Sequence, residues 1–250
     1  MKTEPIFINK KSKIGILMIH GFTSTPDQFK ELADFLAGKG FSVLAPIIAG
    51  HVTSPKDLEK TTPEDWKKSV KDGYLKLNKI CPEIFIIGNS FGSNLGFWLV
   101  KEFNNEPIAI VSLGAPIFLR WQKWILCRLY TYGFIQKYYR KPRRIYRTDY
   151  TDFDDEVTYP IMPTKSLRDF FNFIRNETIP NLDKIKIPIF VGQSDSDNVV
   201  KFKSATHIYE QVRSEFKRIY WFPGKSHMIM SYQKRDQLFE KIYSFIKEIA

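Results

Sequence analysis

Apolar residues along this chain fall into two alternating rhythms. Short unbroken runs, "IGILMIHG" (14–21), "FSVLAPI" (41–47), "IFIIGNS" (84–90), "IAIVSLG" (108–114), "IPIFVGQ" (187–193) and "RIYWFPG" (218–224), are rich in β-branched and aromatic residues. They read as strands buried on both faces. Between them lie segments whose apolar residues recur at helical spacing: "DQFKELADFLAGKG" (27–40), "TPEDWKKSVKDGYLKLNKI" (62–80), the stretch after Ser90 with Leu95, Trp98 and Leu99, "KSLRDFFNFIRN" (165–176), "KSATHIYEQVRSE" (203–215) and a closing helix from Gln233 to Ile249. Strand and helix alternating in this way predict an α/β fold, a doubly wound and mostly parallel sheet. The alternation stops after Pro116 for about fifty residues, so residues 117–165 are expected to form a cap inserted into a single domain spanning 1–250. No internal repeat or low-complexity linker interrupts it.

Length and composition agree with one large domain, since 250 residues at 43% hydrophobic can bury a sizeable core. The N-terminal "MKTEPIFINKKSK" lacks the apolar stretch of a secretory signal, and no segment approaches a membrane span. Cys81 and Cys127 are too few for a disulfide framework and lack zinc-ligand spacing, which points to a reducing, cytoplasmic setting. The net charge of +11 is unevenly spread. Residues 118–148 hold nine basic side chains (Arg120, Lys123, Arg128, Lys137, Arg140, Lys141, Arg143, Arg144, Arg147) and no acid, whereas "DYTDFDDE" (149–156) holds five acids.

Candidate chemistry centres on Gly88-Asn89-Ser90-Phe91-Gly92, where a strand ends and a helix begins. A bare strand-to-helix turn could use glycines and a serine at the helix start. A nucleophile elbow needs the same residues for another reason: small residues two before and two after the serine let the backbone turn tightly. A serine hydroxyl requires a base and an orienting carboxylate, each placed just past the end of a later strand. Of four histidines, His20 and His51 precede Ser90, and His207 falls within a helical pattern. His227 follows the last strand in "FPGKSHMIM". "VGQSDSDNVV" offers Asp195 and Asp197; Asp197 is better placed, because Val199 and Val200 would pack beneath the loop, while Asp195 could instead shape it as an Asx turn. Two backbone donors for an oxyanion are expected at Phe91, at the positive end of its helix, and at Phe22, after the turn His20-Gly21.

With these residues in this order, the sequence resembles the α/β-hydrolase superfamily, and more narrowly small bacterial carboxylesterases and monoacylglycerol lipases. The resemblance covers most of the chain, through "LMIHGFTSTPDQFKELADFLAGKGFSVLAPIIAGH", "TPEDW", "IIGNSFGS", "DNVVKFKSA" and "KSHMIM". It implies a catalytic triad at Ser90, Asp197 and His227, an oxyanion hole at Phe22 and Phe91, and no metal or organic cofactor. The implied activity is cleavage of a small-molecule carboxylic ester, with short-to-medium acyl esters and monoacylglycerols as substrates. The same triad would equally serve a thioesterase or an acyltransferase. One departure is Gly50-His51-Val52, where the family usually has G-H-G.

The expected cap is both basic and aromatic. Residues 116–165 contain twelve aromatics. They either build the cap's own core and roof the pocket, or present Phe118, Trp121, Trp124 and Ile125 as an apolar stripe, flanked by Arg120, Lys123 and Arg128, that rests on anionic membrane. A basic aromatic tract could also bind nucleic acid, yet no nucleic-acid module is recognisable and none is expected as a partner.

Overall fold

The computed structural model describes residues 3–133, 135–141, 159–231 and 235–250. Seven strands form one sheet: β1 (Ile6–Ile8), β2 (Ile14–Ile19), β3 (Ser42–Ala45), β4 (Glu83–Asn89), β5 (Ala109–Leu113), β8 (Ile189–Ser194) and β9 (Lys217–Phe222), in the order β1-β3-β2-β4-β5-β8-β9. Every neighbouring pair is parallel except β1 with β3. β6 (Tyr138–Arg140) and β7 (Ile161–Pro163) pair separately as a short antiparallel ladder. The six strands expected from sequence all form, with slightly shorter limits at several ends. β1 was not foreseen: three residues in a polar N-terminal stretch carry too little pattern, and pairing with β3 makes the strand.

The helices are α1 (Lys30–Gly38), α2 (Pro55–Lys60), α3 (Pro63–Asn78), α4 (Phe91–Glu102), α5 (Gln122–Thr131), α6 (Thr164–Phe173), α7 (Lys203–Gln211) and α8 (Arg235–Ile249). α3 starts where a capping box stops the chain from fraying: Thr62 Oγ1 accepts from the Asp65 amide, and Asp65 Oδ2 accepts from the Thr62 amide. The expected start of the closing helix at Gln233 lies outside the described residues.

Alternation along each strand divides the core. Leu17 and Ile19 of β2, with Ile84 and Ile86 of β4, face the layer built by α3, α4, α6 and α7. Ile16, Met18, Phe85 and Ile87 face α1 and α8 on the other side. All eight are essentially buried, which is why these strands read as unbroken apolar runs.

The chain runs from β2 out to β3 and then crosses back to β4 on the other side of β2. The loops leaving β2 and β4 therefore diverge, and a crevice opens between them at the carboxyl ends of the strands. Gly21 lies at one lip, against Ser90 at the other.

Between β5 and α6, where a cap was expected, the described residues contribute α5, β6 and β7. The base of this segment is zipped to the loop after β8: Leu119 bridges Val200, the Arg120 amide donates to the Val199 carbonyl at 2.8 Å, and the Lys201 amide donates to the Phe118 carbonyl at 2.8 Å. Arg143, Arg144 and Arg147 of the basic run, and the acidic 149–156, lie outside the described residues. Among the described residues, no helix is long and apolar enough to cross a membrane.

Candidate active site

Ser90 sits at the corner between β4 and α4 with φ +51° and ψ −123°. A non-glycine residue held there costs on the order of 1–3 kcal/mol, so its surroundings must enforce it. They do so by hydrogen bonds and by close packing. The Ser90 amide donates to the Leu113 carbonyl at 2.7 Å, and Ser93 Oγ donates to the Gly88 carbonyl at 2.7 Å while accepting from the Leu113 amide at 3.2 Å. A Cβ at Gly92 would stand 1.8 Å from the Ile19 carbonyl oxygen, and one at Gly88 would stand 2.5 Å from the Ser93 amide nitrogen. Both contacts are with backbone, which cannot move aside, so the two glycines that flank Ser90 are sterically required.

From this corner the Ser90 hydroxyl reaches His227. Ser90 Oγ and His227 Nε2 are 2.9 Å apart, and His227 Nδ1 is 2.8 Å from Asp197 Oδ2. The other carboxylate oxygen of Asp197 accepts from the amides of Val199 and Val200 at 2.7 and 2.8 Å. Those valines thus hold the acid through their backbone amides, and Val200 is itself buried. Burial by itself would raise the Asp197 carboxyl, but the charge and hydrogen bond of His227, with the two amides, outweigh it and hold the group below the usual carboxylate range. Asp197 therefore stays ionised, accepts from Nδ1–H, and leaves Nε2 of a neutral imidazole as the acceptor facing the serine. Asp195 is exposed, and its carboxylate accepts from the Gly224 amide at 3.2 Å, so it braces the loop after β9. Arg120 adds a brace from above, its Nε donating to the Asp197 carbonyl at 2.7 Å.

Phe91 is the first residue of α4, whose leading amides have no acceptor within the helix. Phe22 follows Gly21 in the facing lip. Its ring packs edge-on against Phe91, Trp66 and His51, with centroids 5.9, 5.8 and 5.9 Å apart, and fixes the loop. Two histidines that precede Ser90 in the chain support this lip from below. His20 Nε2 accepts from the Ile48 amide at 3.1 Å, so Nδ1 carries the proton and donates to the Gly21 carbonyl at 3.0 Å. His51 packs against His20 at 5.2 Å between ring centroids and donates from Nδ1 to the Ala49 carbonyl at 3.1 Å. Burial, with the His51 ring beside it, pushes His20 down to about 3, and burial pushes His51 down to about 4. Nothing in their spacing signals this role, which comes from loops that meet only in the fold. Val52, where the family usually has glycine, takes φ +73°, a conformation that a β-branched residue adopts only when its neighbours impose it. His207 is half-buried on α7, with its ring 5.2 Å from that of Phe118.

Ser90 and His227 open into a cavity of about 440 Å³. Its walls include Leu119, Trp121, Trp124, Ile125, Tyr139, Met162, Leu167, Phe170 and Phe171, most of them from the segment between β5 and α6 and from α6 itself. The expected apolar stripe is divided. Phe118 turns inward beneath Lys203 and beside His207, whereas Trp121 and Trp124 are 71% and 56% exposed at the cavity mouth. An imidazole and carboxylate held in this way can take a proton from the serine and stabilise the cation that results.

Comparison with known proteins adds to this geometry. The sequence profile of the family described as "Serine aminopeptidase, S33" matches residues 10–233. A carboxylesterase from Bacillus subtilis (strain 168) is 29% identical, over 99% of this chain and 98% of its own. A thermostable monoacylglycerol lipase from Bacillus sp. (strain H-257) is 29% identical over 99% and 95%. Among solved structures, one reported for the metagenome-derived lipolytic enzymes LipS and LipT superposes with a TM-score of 0.86 at 24% identity, covering 99% of this chain and 98% of that one. Monoacylglycerol lipase from Paleococcus ferrophilus superposes at 0.82 with 15% identity, covering 100% of both chains. At these identities the structural likeness is one of fold, the α/β-hydrolase fold.

Proposed function

The chain belongs to the hydrolase family described as "Serine aminopeptidase, S33", and from that membership we propose that it is a serine esterase that cleaves short-to-medium acyl carboxylic esters. The observation that carries this reading is the hydrogen-bonded chain from Ser90 through His227 to Asp197, opening on an apolar cavity. Ser90 Oγ attacks the ester carbonyl as His227 Nε2 takes its proton, and Asp197 stabilises the imidazolium. The oxyanion is held by the amides of Phe22 and Phe91. His227 then protonates the departing alkoxide, and water repeats the sequence on the acyl-enzyme to release the acid.

The family description names a peptidase, but the cavity favours an ester. An aminopeptidase must hold its substrate's α-ammonium group, which calls for a carboxylate in the pocket. Among the described residues the cavity wall contains none, and it does contain Arg120 and Lys141. Two relatives matched over nearly their full length are also named for ester chemistry, one a carboxylesterase and one a monoacylglycerol lipase.

Hydrolysis of p-nitrophenyl butyrate tests this reading. Ser90→Ala and Asp197→Asn should each lower kcat by at least about 10⁴-fold, while Asp195→Asn should change it little. A fluorophosphonate should label Ser90 alone. Retained turnover in Ser90→Ala, or faster cleavage of an aminoacyl p-nitroanilide than of the ester, would overturn it.

We further propose that the segment from 117 to 165 is a cap whose outer face touches anionic membrane. Trp121, Trp124, Tyr132 and Ile135 are exposed in this stretch of chain, and Lys123, Lys137 and Arg140 of the same stretch are exposed as well. Apolar side chains on a cationic surface suit the boundary between headgroups and acyl chains. No nucleic acid is expected as a partner.

A further inference from the structure

One part of the cavity wall is polar, buried and incompletely bonded. Gln28 and Asn89 are 6% and 1% exposed, and Ser24 is 4% exposed. All three line the cavity that contains Ser90. Asn89 Nδ2 donates to Gln28 Oε1 at 2.7 Å, which uses one group of each amide. Among the described residues, Gln28 Nε2, Asn89 Oδ1 and Ser24 Oγ have no protein partner. Turning both amides over leaves the same complement, one open donor and one open acceptor, with the Ser24 hydroxyl able to act as either.

Buried polar groups of a stable fold normally find partners, and three orphans side by side next to a nucleophile call for a ligand. Their place in the fold says which part of the ligand. Gln28 lies within the short turn Pro26–Phe29 that leads into α1 and Ser24 lies just before it, and Phe29 belongs to the core on the α1 and α8 side of the sheet. The apolar wall, with Leu167, Phe170 and Phe171, belongs to the core on the other side. An ester bound at Ser90 therefore meets an apolar wall from one layer and a hydroxyl-matching wall from the other.

We propose that Ser24, Gln28 and Asn89 form a subsite for the hydroxyl groups of a polyol leaving group, so that glycerol-type monoesters are preferred over simple alkyl esters. This rests on the reading of Ser90 as an ester-cleaving nucleophile. A hydroxyl both donates and accepts, so a vicinal diol fills the open donor and the open acceptor together, whereas an alkyl alcohol leaves both unmade. A site built to bond a hydroxyl discriminates strongly against an analogue that lacks it. In the reaction Ser90 Oγ bonds to the acyl carbon, the bond between that carbon and the polyol oxygen breaks, and the proton carried by His227 passes to the departing polyol oxygen.

The test compares kcat/KM for glyceryl 1-octanoate with that for propyl octanoate, both below their solubility limits, in the parent enzyme and in Gln28→Leu and Ser24→Ala. The acyl group and the carbon count of the alcohol are the same, so differences common to both esters cancel in the ratio. The parent should prefer the glyceryl ester, and that ratio should fall at least about tenfold in Gln28→Leu and by a smaller factor in Ser24→Ala. Unfolding midpoints identify any variant that has lost its fold; the ratio in the other variant then decides. A parent that cleaves both esters without preference, or variants that lower both rates equally, would overturn the subsite alone and leave solvent as the partner of these groups. A preference shared by the glyceryl ester and an ω-hydroxyoctanoate alkyl ester would place the hydroxyl contact on the acyl side and also overturn it. A parent inactive on both esters would overturn the esterase reading and the subsite with it.

Discussion

His20 and His51 show how single residues support the site without touching substrate. Each holds a loop carbonyl through a neutral ring, and each is kept neutral by burial, down to about 3 and about 4. The unfolded chain restores both to about 6.5, so between pH 6.5 and 4 the unfolded state binds more protons than the native one. Their contribution is present in full above pH 6.5 and is lost as pH falls toward 4, with a limiting slope of about 1.4 kcal/mol per pH unit for each ring. The Asp197 carboxyl, held low in the native state, acts in the same direction at lower pH: its contribution exists above the ordinary carboxylate range and disappears as pH falls through the native value. Stability to urea should therefore drop steeply from pH 7 to pH 4.5, and His51→Gln should flatten the curve by up to one proton's slope. Parallel curves for the two proteins would show that His51 already carries its proton in the native state.

At the scale of the element, the elbow links a sequence pattern to a steric fact. The pattern shows only that glycine stands two residues before and two after Ser90; the contacts with Ile19 and Ser93 give the reason. Gly92→Ala would drive a methyl group into the Ile19 carbonyl of β2, so β2 and α4 must separate or the turn must open. Overpacking against backbone costs about 3 kcal/mol or more. The variant should melt several degrees lower and lose most of its esterase activity, because the same shift moves Ser90 away from His227. A Gly92→Ala enzyme with parental melting and turnover would mean that β2 and α4 slide apart freely.

The whole molecule carries its charge unevenly, with Lys123, Lys137 and Arg140 exposed in the same stretch of chain as exposed Trp121 and Trp124. Each cation near an anionic surface contributes about 1 kcal/mol, so these three supply about 3 kcal/mol, roughly a hundredfold in binding. Co-sedimentation with phosphatidylserine vesicles should weaken by about that factor as salt shortens the screening length to a few ångströms. Trp121→Ala with Trp124→Ala should reduce the salt-resistant remainder. Equal binding to neutral and anionic vesicles would remove the electrostatic part of this reading, and unchanged binding by the double variant would remove the apolar part.

The order of strands and helices, the elbow, and the candidates Ser90, Asp197 and His227 were legible in the sequence, because each depends on local information: the period of apolar residues, a glycine-flanked serine, an acid and a histidine just past strand ends. The choice between Asp195 and Asp197 could only be leaned toward from sequence. It turns on which carboxylate reaches across to the loop after β9, and the two share one short stretch of chain. The division of the aromatic stripe and the use of His20 and His51 beneath Phe22 were not legible, since each depends on which loops the crossover from β3 to β4 brings together. The pairing of Gln28 with Asn89 is the plainest case. The two are 61 residues apart and nothing in the stretch around either one marks them as partners; only the tertiary fold puts two amides in contact at the wall of one cavity and leaves half of each without a partner.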